Sequence, residues 1–304
     1  MNEKRRIDFR FAPDIGQTCV SLADDPFKTI VREDGSLNYL WRSDQDLFVD
    51  GTVPACRKRV QSVQEGNRGF TYRCAPRFYH RDRLLSRRQD FGDPAEAVVE
   101  TVEEYERCVF RWKTFGHRLP DGTRLDVMLF TLTAGEQFGH ARENVYLQTM
   151  GEPFAPPETR RDPSLAYSLP SANAAIPAPI ALYTPVERQD GTPAGAFLQA
   201  GETWEGAFAL IYHGALAPEQ FTLDFARSCL TECQRYWQQV RPFRHAFRVP
   251  DAQVRRMLAV CGRNILQARE IVDGIAECHV GPTIYRGLWV FDGYYFAECG
   301  YMMG

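Results

Sequence analysis

The segment from Tyr285 to Phe296 carries the side chains best suited to binding chemistry. It reads Tyr-Arg-Gly-Leu-Trp-Val-Phe-Asp-Gly-Tyr-Tyr-Phe, so one arginine and one aspartate stand among aromatic residues. Trp289 and Asp292 lie three residues apart. An indole ring can stack on the apolar face of a sugar, and a carboxylate can accept hydrogen bonds from two adjacent hydroxyls. The segment therefore predicts sugar binding; the alternative is a buried aromatic cluster with Asp292 as a helix N-cap.

The residues from Phe221 onward resemble the opening of the helical barrel in the glucoamylase-like, six-hairpin glycosidases. The resemblance lies in a helix with Arg235-Tyr236-Trp237, a long helix from Val249-Pro250-Asp251 through Arg263-Asn264-Ile265-Leu266-Gln267, and a loop closing with Trp289-Val290-Phe291-Asp292. In that superfamily a Trp-x-x-Asp or Arg-Asp element at this point lies at the non-reducing sugar subsite. The resemblance implies that Tyr285, Arg286, Trp289 and Asp292 bind substrate. Phe291 stands where many members have arginine.

The resemblance also implies a fold in three parts. Residues 1–221 would form an antiparallel, supersandwich-like β-sandwich, residues 222–249 a linker helix and connection, and residues 250–304 the start of a six-hairpin (α/α)6 barrel. Such a barrel needs more helices than these residues supply, and an apolar helix runs up to Gly304. We therefore expect the chain to be an N-terminal portion of a longer, truncated barrel protein.

No catalytic residue is expected within this chain. Inverting glycoside hydrolysis needs an acid and a base about 6.5–9.5 Å apart. The resemblance implies that these carboxylates lie in later hairpins, beyond residue 304. Within residues 285–304 the only acidic residues are Asp292 and Glu298, which a helix turns to well-separated faces. The chain is therefore expected to hold an oligosaccharide as part of a glycoside hydrolase or related phosphorylase, without turnover, cofactor or metal.

A second hypothesis is a non-catalytic carbohydrate-binding or interaction module. In that case the β-sandwich itself would present aromatic side chains to a glycan or a partner. The candidates are Trp41, Trp112 and Trp204. Aromatic residues in strands more often belong to the core.

Composition and charge indicate an ordinary soluble protein without a nucleic-acid partner. The 304 residues are 44% hydrophobic, and 36 basic against 39 acidic side chains give a net charge of −3. The basic run from Arg81 to Arg88 is expected to pair with the acidic segment from Glu96 to Glu106. The start carries no signal peptide, and no stretch approaches a membrane span. Nine scattered cysteines predict reduced thiols and a cytoplasmic location.

The pattern of the first 220 residues is typical of strands joined by turns. Cys108–Gly116 and Arg124–Thr133 flank Leu119-Pro120-Asp121-Gly122-Thr123, which predicts a hairpin. After Pro218 the spacing becomes helical and predicts helices over 222–240 and 251–272, the second capped by Asp251. Its expected apolar row would be left exposed and could support self-association. That row is Val254, Met257/Leu258, Cys261, Ile265, Ala268 and Ile271/Val272.

Three other groups of residues have spacings that suggest a catalytic or metal site, but we expect them to be structural. His80-Arg81-Asp82 and Asp90-Phe91-Gly92 imitate protein-kinase signatures, but Arg87 stands where the metal-binding asparagine should be. Glu136, His140 and Glu143 have the spacing of metal ligands, yet glycines at 135 and 139 weaken any helix there. Cys229 and Cys233 have no second ligand pair and are expected to be buried thiols.

Overall fold

The computed structural model of the chain describes residues 18–25, 28–32, 34–40, 72–78, 82–138, 141–143, 145–149, 152–153, 166–168, 180–184, 196–240, 242–244, 248–272, 274–279 and 290–304. The helices in this part are α1 (Leu223–Val240), α2 (Ala252–Ala268) and α3 (Val290–Met303), with a 3-10 turn at Pro218–Gln220. The strands are β1 (Thr18–Cys19), β2 (Lys28–Val31), β3 (Leu37–Leu40), β4 (Tyr72–Phe78), β5 (Leu84–Phe91), β6 (Val99–Tyr105), β7 (Cys108–Arg118), β8 (Arg124–Ala134), β9 (Ala141–Glu143), β10 (Val145–Thr149), β11 (Glu152–Pro153), β12 (Ala166–Ser168), β13 (Ile180–Tyr183), β14 (Ala196–Leu198), β15 (Thr203–His213), β16 (Glu270–Val272) and β17 (Ile275–Glu277).

Two large antiparallel sheets make up the first part of the chain. The seven-stranded sheet has the order β12-β13-β15-β8-β7-β6-β5, and the six-stranded sheet has the order β1-β2-β3-β4-β10-β11. The strands β9 and β14 form a small separate pair. Every strand pair in the described residues is antiparallel. The prediction of an antiparallel, β-rich first part is confirmed.

The β7–β8 hairpin is the centre of the larger sheet. Its register runs from Cys108 opposite Ala134 to Arg118 opposite Arg124. Gly122 has φ +90° in the connecting turn, a conformation that glycine adopts at little cost. The predicted hairpin is confirmed.

The core lies between the two sheets, because strand side chains alternate between faces. Phe130 of β8 lies at its centre, with its ring centroid 5.4 Å from those of Trp204 and Phe208. Buried residues of both sheets meet there: Val31, Leu37, Cys74 and Val145 from the smaller sheet, and Phe110, Trp112, Met128, Leu132 and Leu210 from the larger. The two sheets therefore pack as a sandwich.

Helix α1 covers the outer face of the larger sheet. Its buried residues are Ala226, Cys229, Cys233 and Trp237, which repeat at helical spacing. They pack against side chains that the sheet turns away from the sandwich interior, Phe115, Leu125, Val127, Leu182, Ala207, Ala209 and Ile211. Because α1 buries this face, the helix contributes to the hydrophobic core of the β-rich part.

Helix α2 begins as predicted and ends earlier. Oδ1 of Asp251 accepts hydrogen bonds from the amides of Gln253 and Val254, so the predicted N-cap is confirmed. The predicted end at residue 272 is wrong, because α2 stops at Ala268 and residues 270–272 pair with β17. Gly274, with φ +79°, allows the tight turn of this small hairpin.

The buried face of α2 differs from the predicted apolar row. The structure buries Gly262, Arg263, Gln267 and Ala268, so among the members of that row that lie on α2 only Ala268 is buried. Val254 is 38% exposed and Met257 is 56% exposed, which agrees with the expected exposed stripe at these two positions. None of the helices that the structure describes is long and apolar enough to cross a membrane.

Candidate functional site

Asp292 lies in the first turn of α3, on the inward face of that helix. Asp292 and Phe296 are half-buried and Met303 is buried. At 100° per residue, these three positions fall within about 40° of one another around the helix axis. The interpretation of Asp292 as the N-cap is wrong, because α3 begins at Val290. A carboxylate in the first turn is still favoured by the amide dipoles at the helix N-terminus.

The other three candidate substrate residues, Tyr285, Arg286 and Trp289, lie outside the described residues. Their convergence with Asp292 stays a prediction.

Glu298 is exposed and points away from Asp292. Six residues of helix place the two side chains about 120° apart around the axis. They do not converge on one pocket, so α3 does not provide an acid and a base to the same bond.

Two contacts hold α3, and one of them is at its C-terminal end. The carbonyl oxygen of Met303 accepts a hydrogen bond from the amide of Arg244 at 2.9 Å, and α3 also packs against α2. The outer side of the helix carries Tyr294 and Tyr295, whose ring centroids are 5.5 Å apart in an edge-to-face arrangement. A hydrogen bond thus holds the C-terminal end of α3, and Asp292 lies in the first turn at the opposite end.

Helix α2 is attached to the sandwich by buried polar side chains. Nε2 of Gln267 donates to the carbonyl oxygens of Cys19 at 2.9 Å and Ser21 at 2.6 Å. Nζ of Lys28, on β2, donates to the carbonyl oxygen of Gln267 at 2.6 Å and to that of Arg269 at 3.1 Å. Each of these carbonyl groups gains a partner inside the protein, so the attachment fixes the C-terminal half of α2.

Arg263 adds a second attachment one turn earlier. Its Nη1 donates to the carbonyl oxygens of Pro94, at 3.0 Å, and Glu96. Its guanidinium lies 4.6 Å from the ring centroid of Phe91, and burial lowers its pKa to about 10.

The sequence analysis did not identify Lys28, Arg263 and Gln267 as residues that attach α2 to the sandwich. The four-residue spacing of Arg263 and Gln267 could have indicated a shared polar contact, since it places both residues on one face of the helix.

The sandwich aromatics contribute little exposed surface. Trp112 is fully buried, and its Nε1 donates to the carbonyl oxygen of Gly35 at 3.3 Å. Trp204 is half-buried and packs edge-on against Phe130. Trp41 lies outside the described residues. Trp112 therefore belongs to the core and is not available to a glycan.

Two arginines of the basic run, Arg83 and Arg87, are paired with the acidic segment as predicted. Nη2 of Arg87 lies 2.6 Å from Oε1 of the buried Glu103, and Arg83 lies 3.5 Å from Glu106. Asp82, from the kinase-like triplet, forms an ion pair with Arg107 at 2.7 Å. Arg83, Arg87 and Asp82 therefore have ion-pair partners in the described part of the chain, and His80 and Arg81 lie outside it.

The thiols and potential metal ligands point to no metal centre in the described part of the chain. Burial raises the pKa of Cys229 and Cys233 to about 12 each, so both remain protonated thiols. No group of three histidine, cysteine or acidic side chains converges there. His140, from the predicted ligand spacing, lies outside the described residues.

Two ionic clusters join the elements around α1. Nε of the fully buried Arg124 lies 2.6 Å from Oδ2 of Asp25, and its Nη1 lies 2.7 Å from Oδ1 of Asp126. Nearby, Nε2 of the buried His117 lies 3.2 Å from Oε2 of Glu232 on α1. Burial lowers the pKa of His117, and the positive charge of Arg124 acts in the same direction, against the opposing effect of Glu232.

Comparison with known proteins gives no family assignment. No protein-family model matches the chain, and no curated protein sequence matches it.

Proposed function

We propose that this chain is the amino-terminal, substrate-holding part of a carbohydrate-active enzyme of the six-hairpin type. The enzyme would be an inverting glycoside hydrolase or a related phosphorylase acting on oligosaccharides. The observation that carries the proposal is the order of the elements along the chain: an antiparallel sandwich is followed by helices α2 and α3, which keep large apolar side chains exposed. Helices that begin a larger helical array have such faces, because neighbouring helices bury them.

Asp292 would hold the sugar. Its position in the first turn of α3, half-buried on the inward face, gives the carboxylate a partly desolvated setting. Charge-assisted hydrogen bonds to two neighbouring hydroxyls would each contribute about 1.5–3 kcal/mol. Tyr285, Arg286 and Trp289 would complete the site, with the indole stacking on the sugar ring.

The chemistry would require carboxylates beyond this chain. Asp292 and Glu298 diverge around α3, so they do not flank one glycosidic bond. The 304-residue chain is therefore expected to bind an oligosaccharide without cleaving it. Unbridged thiols at Cys229 and Cys233 support placing the protein in the reducing cytoplasm.

The alternative, a binding module on the sandwich, has weaker support because Trp112 is fully buried. Trp204 is the half-buried aromatic candidate that remains in the described part of the sandwich.

The test uses the intact chain, a panel of neutral oligosaccharides and a panel of chromogenic glycosides. We expect saturable binding of at least one oligosaccharide by calorimetry and no glycoside turnover above a blank. Loss of binding in Trp204→Ala, with Asp292→Asn unchanged, would instead support the sandwich hypothesis. Absence of binding across the panel, or turnover by the purified chain, would contradict the proposal.

A further inference from the structure

The end of β1 and the residues after it join helix α2 to the sandwich. We call residues 19–25 the docking segment. On the sandwich side, the carbonyl oxygen of Val20 accepts a hydrogen bond from the amide of Gly116, on β7, at 3.1 Å. Oδ2 of Asp25 lies 2.6 Å from Nε of the fully buried Arg124, on β8. These contacts fix the docking segment to the larger sheet.

Asp24 is the residue of the docking segment that meets the end of α2. Its amide donates to the carbonyl oxygen of Leu266 at 3.1 Å, and its carboxylate accepts two hydrogen bonds from Arg269, with Oδ2 lying 2.9 Å from Nη2. Among the described residues other than glycine, Asp24 is the one with a positive φ, +58°. The left-handed conformation costs free energy in a residue that carries a Cβ, and the contacts with α2 offset that cost.

The attachment of α2 is mainly polar, whereas an apolar core holds the sandwich. Ala268 is the one buried residue of α2 with an apolar side chain, and residues 251–257 are all exposed. Water can replace the hydrogen bonds of the attachment when the helix moves away, so their net contribution is smaller than their number suggests. Separating the two sheets would instead expose the aromatic core around Phe130. Few buried apolar contacts are typical of parts of a protein that open locally.

We propose that α2 opens from the sandwich as one unit with the β16–β17 hairpin and α3, while the two sheets stay folded. The hairpin follows α2 directly and α3 packs against α2, so both move with the helix. The ion pair of Asp24 and Arg269 holds the unit closed. Once that pair breaks, Asp24 can leave its left-handed conformation, which favours the open state. The unit carries Asp292, but the proposal depends on contacts of the fold and not on sugar binding, so each proposal can fail without the other.

Hydrogen exchange of the intact chain in low concentrations of urea, read on peptides by mass spectrometry, tests the proposal. Amides of α2, the β16–β17 hairpin and α3 should share one opening equilibrium constant, at least tenfold larger than that of β8. Arg269→Met removes the donors to Asp24, so it should raise the shared constant at least tenfold. Arg255→Met is the matched control, because the exposed Arg255 bonds the carbonyl oxygen of Val249 and its loss leaves the contact with Asp24 intact. It should leave the shared constant unchanged.

A substitution in the sandwich core separates local opening from global unfolding. Met128 is fully buried on β8, so Met128→Ala should raise the opening constant of β8 at least tenfold. The open unit leaves the sandwich folded, so the shared constant of α2, the hairpin and α3 should stay within twofold of the wild type. Circular dichroism would verify that each variant is folded.

Two substitutions of Asp24 test the role of its conformation. Asp24→Ala and Asp24→Gly both remove the carboxylate, but only the first keeps a Cβ in the left-handed conformation. The shared opening constant should therefore be at least threefold larger in Asp24→Ala; equal constants would exclude a role for the conformation. An equal effect of Met128→Ala on α2 and β8, or an effect of Arg269→Met confined to the last turn of α2, would overturn the proposal.

Discussion

Arg263 and Glu96 join three elements of the structure at one point. Nη1 of Arg263, on α2, donates to the carbonyl oxygen of Glu96 in the loop before β6. The carboxylate of the same Glu96 accepts hydrogen bonds from Gln234 at 2.9 Å and Gln238 at 3.4 Å, both on α1. The loop that carries Glu96 therefore links α1, which covers the sandwich, to α2. Polar contacts therefore contribute to the attachment of α2 to the sandwich and to α1.

Replacing Arg263 tests this coupling. Arg263→Met keeps the apolar stem but removes the donors to Pro94 and Glu96, and should lower the free energy of unfolding by about 2–3 kcal/mol. Arg256→Met is the matched control, since Arg256 is exposed and bonds Asp90 and the carbonyl oxygen of Phe91 at the surface. Arg256→Met should lower the free energy of unfolding by less than about 1 kcal/mol. Equal losses in urea unfolding would contradict the structural role of Arg263.

The buried ionic cluster around Arg124 makes a stronger prediction. Asp25 accepts from Nε of Arg124 at 2.6 Å and from Nη2 of Arg118 at 2.8 Å. Asp25→Ala removes one of the two carboxylates that pair with the buried guanidinium of Arg124. The substitution should therefore lower the free energy of unfolding by about 3–5 kcal/mol. The control is Asp224→Ala, whose carboxylate pairs with Arg227 on the solvent side of α1. If Asp25→Ala loses less free energy of unfolding than Asp224→Ala does, the buried pair of Asp25 and Arg124 does not stabilise the fold.

Because His117 is buried, we predict that the protein loses stability in mild acid. Burial holds its pKa below the ordinary value, so the folded protein keeps the imidazole neutral while the unfolded chain protonates near pH 6.5. The unfolded state therefore binds more protons below that pH, and stability falls as pH drops through this window. Urea unfolding at pH 7.5 and 5.5 should show a larger acid loss for the wild type than for His117→Gln.

A second substitution tests the sign of the neighbouring charge. Glu232 opposes the lowering of the His117 pKa, so Glu232→Gln should deepen the acid loss. An acid loss that is identical in all three proteins would exclude His117 as its source.

The sandwich was predictable because its local signals and its tertiary packing agree. The Asp121-Gly122 turn between two apolar runs predicts the β7–β8 hairpin. The basic run on β5 and the acidic residues on β6 are predicted to pair, and Arg87 meets Glu103 across neighbouring strands. In each case residues close in sequence determine the contact.

The helical part was less predictable because its contacts are long-range and polar. Periodicity identified the apolar row of α2, but it does not reveal that most of this row faces outward while Arg263 and Gln267 face the sandwich. Gln267 meets Cys19 and Ser21 across more than two hundred residues of sequence. The end of α2 did have a local signal, because Asp273-Gly274 between Val272 and Ile275 is typical of a hairpin.

Oligosaccharide titration of Asp292→Asn tests the central claim most directly. The matched control is Glu298→Gln, which removes the same charge from the same helix about 120° away. With the best-binding oligosaccharide of the panel, calorimetry should give an affinity about 10- to 150-fold weaker for Asp292→Asn, because a charge-assisted hydrogen bond contributes about 1.5–3 kcal/mol. Glu298→Gln should bind like the wild type. Equal affinities in all three proteins would contradict the account and leave Asp292 with a structural role in the first turn of α3.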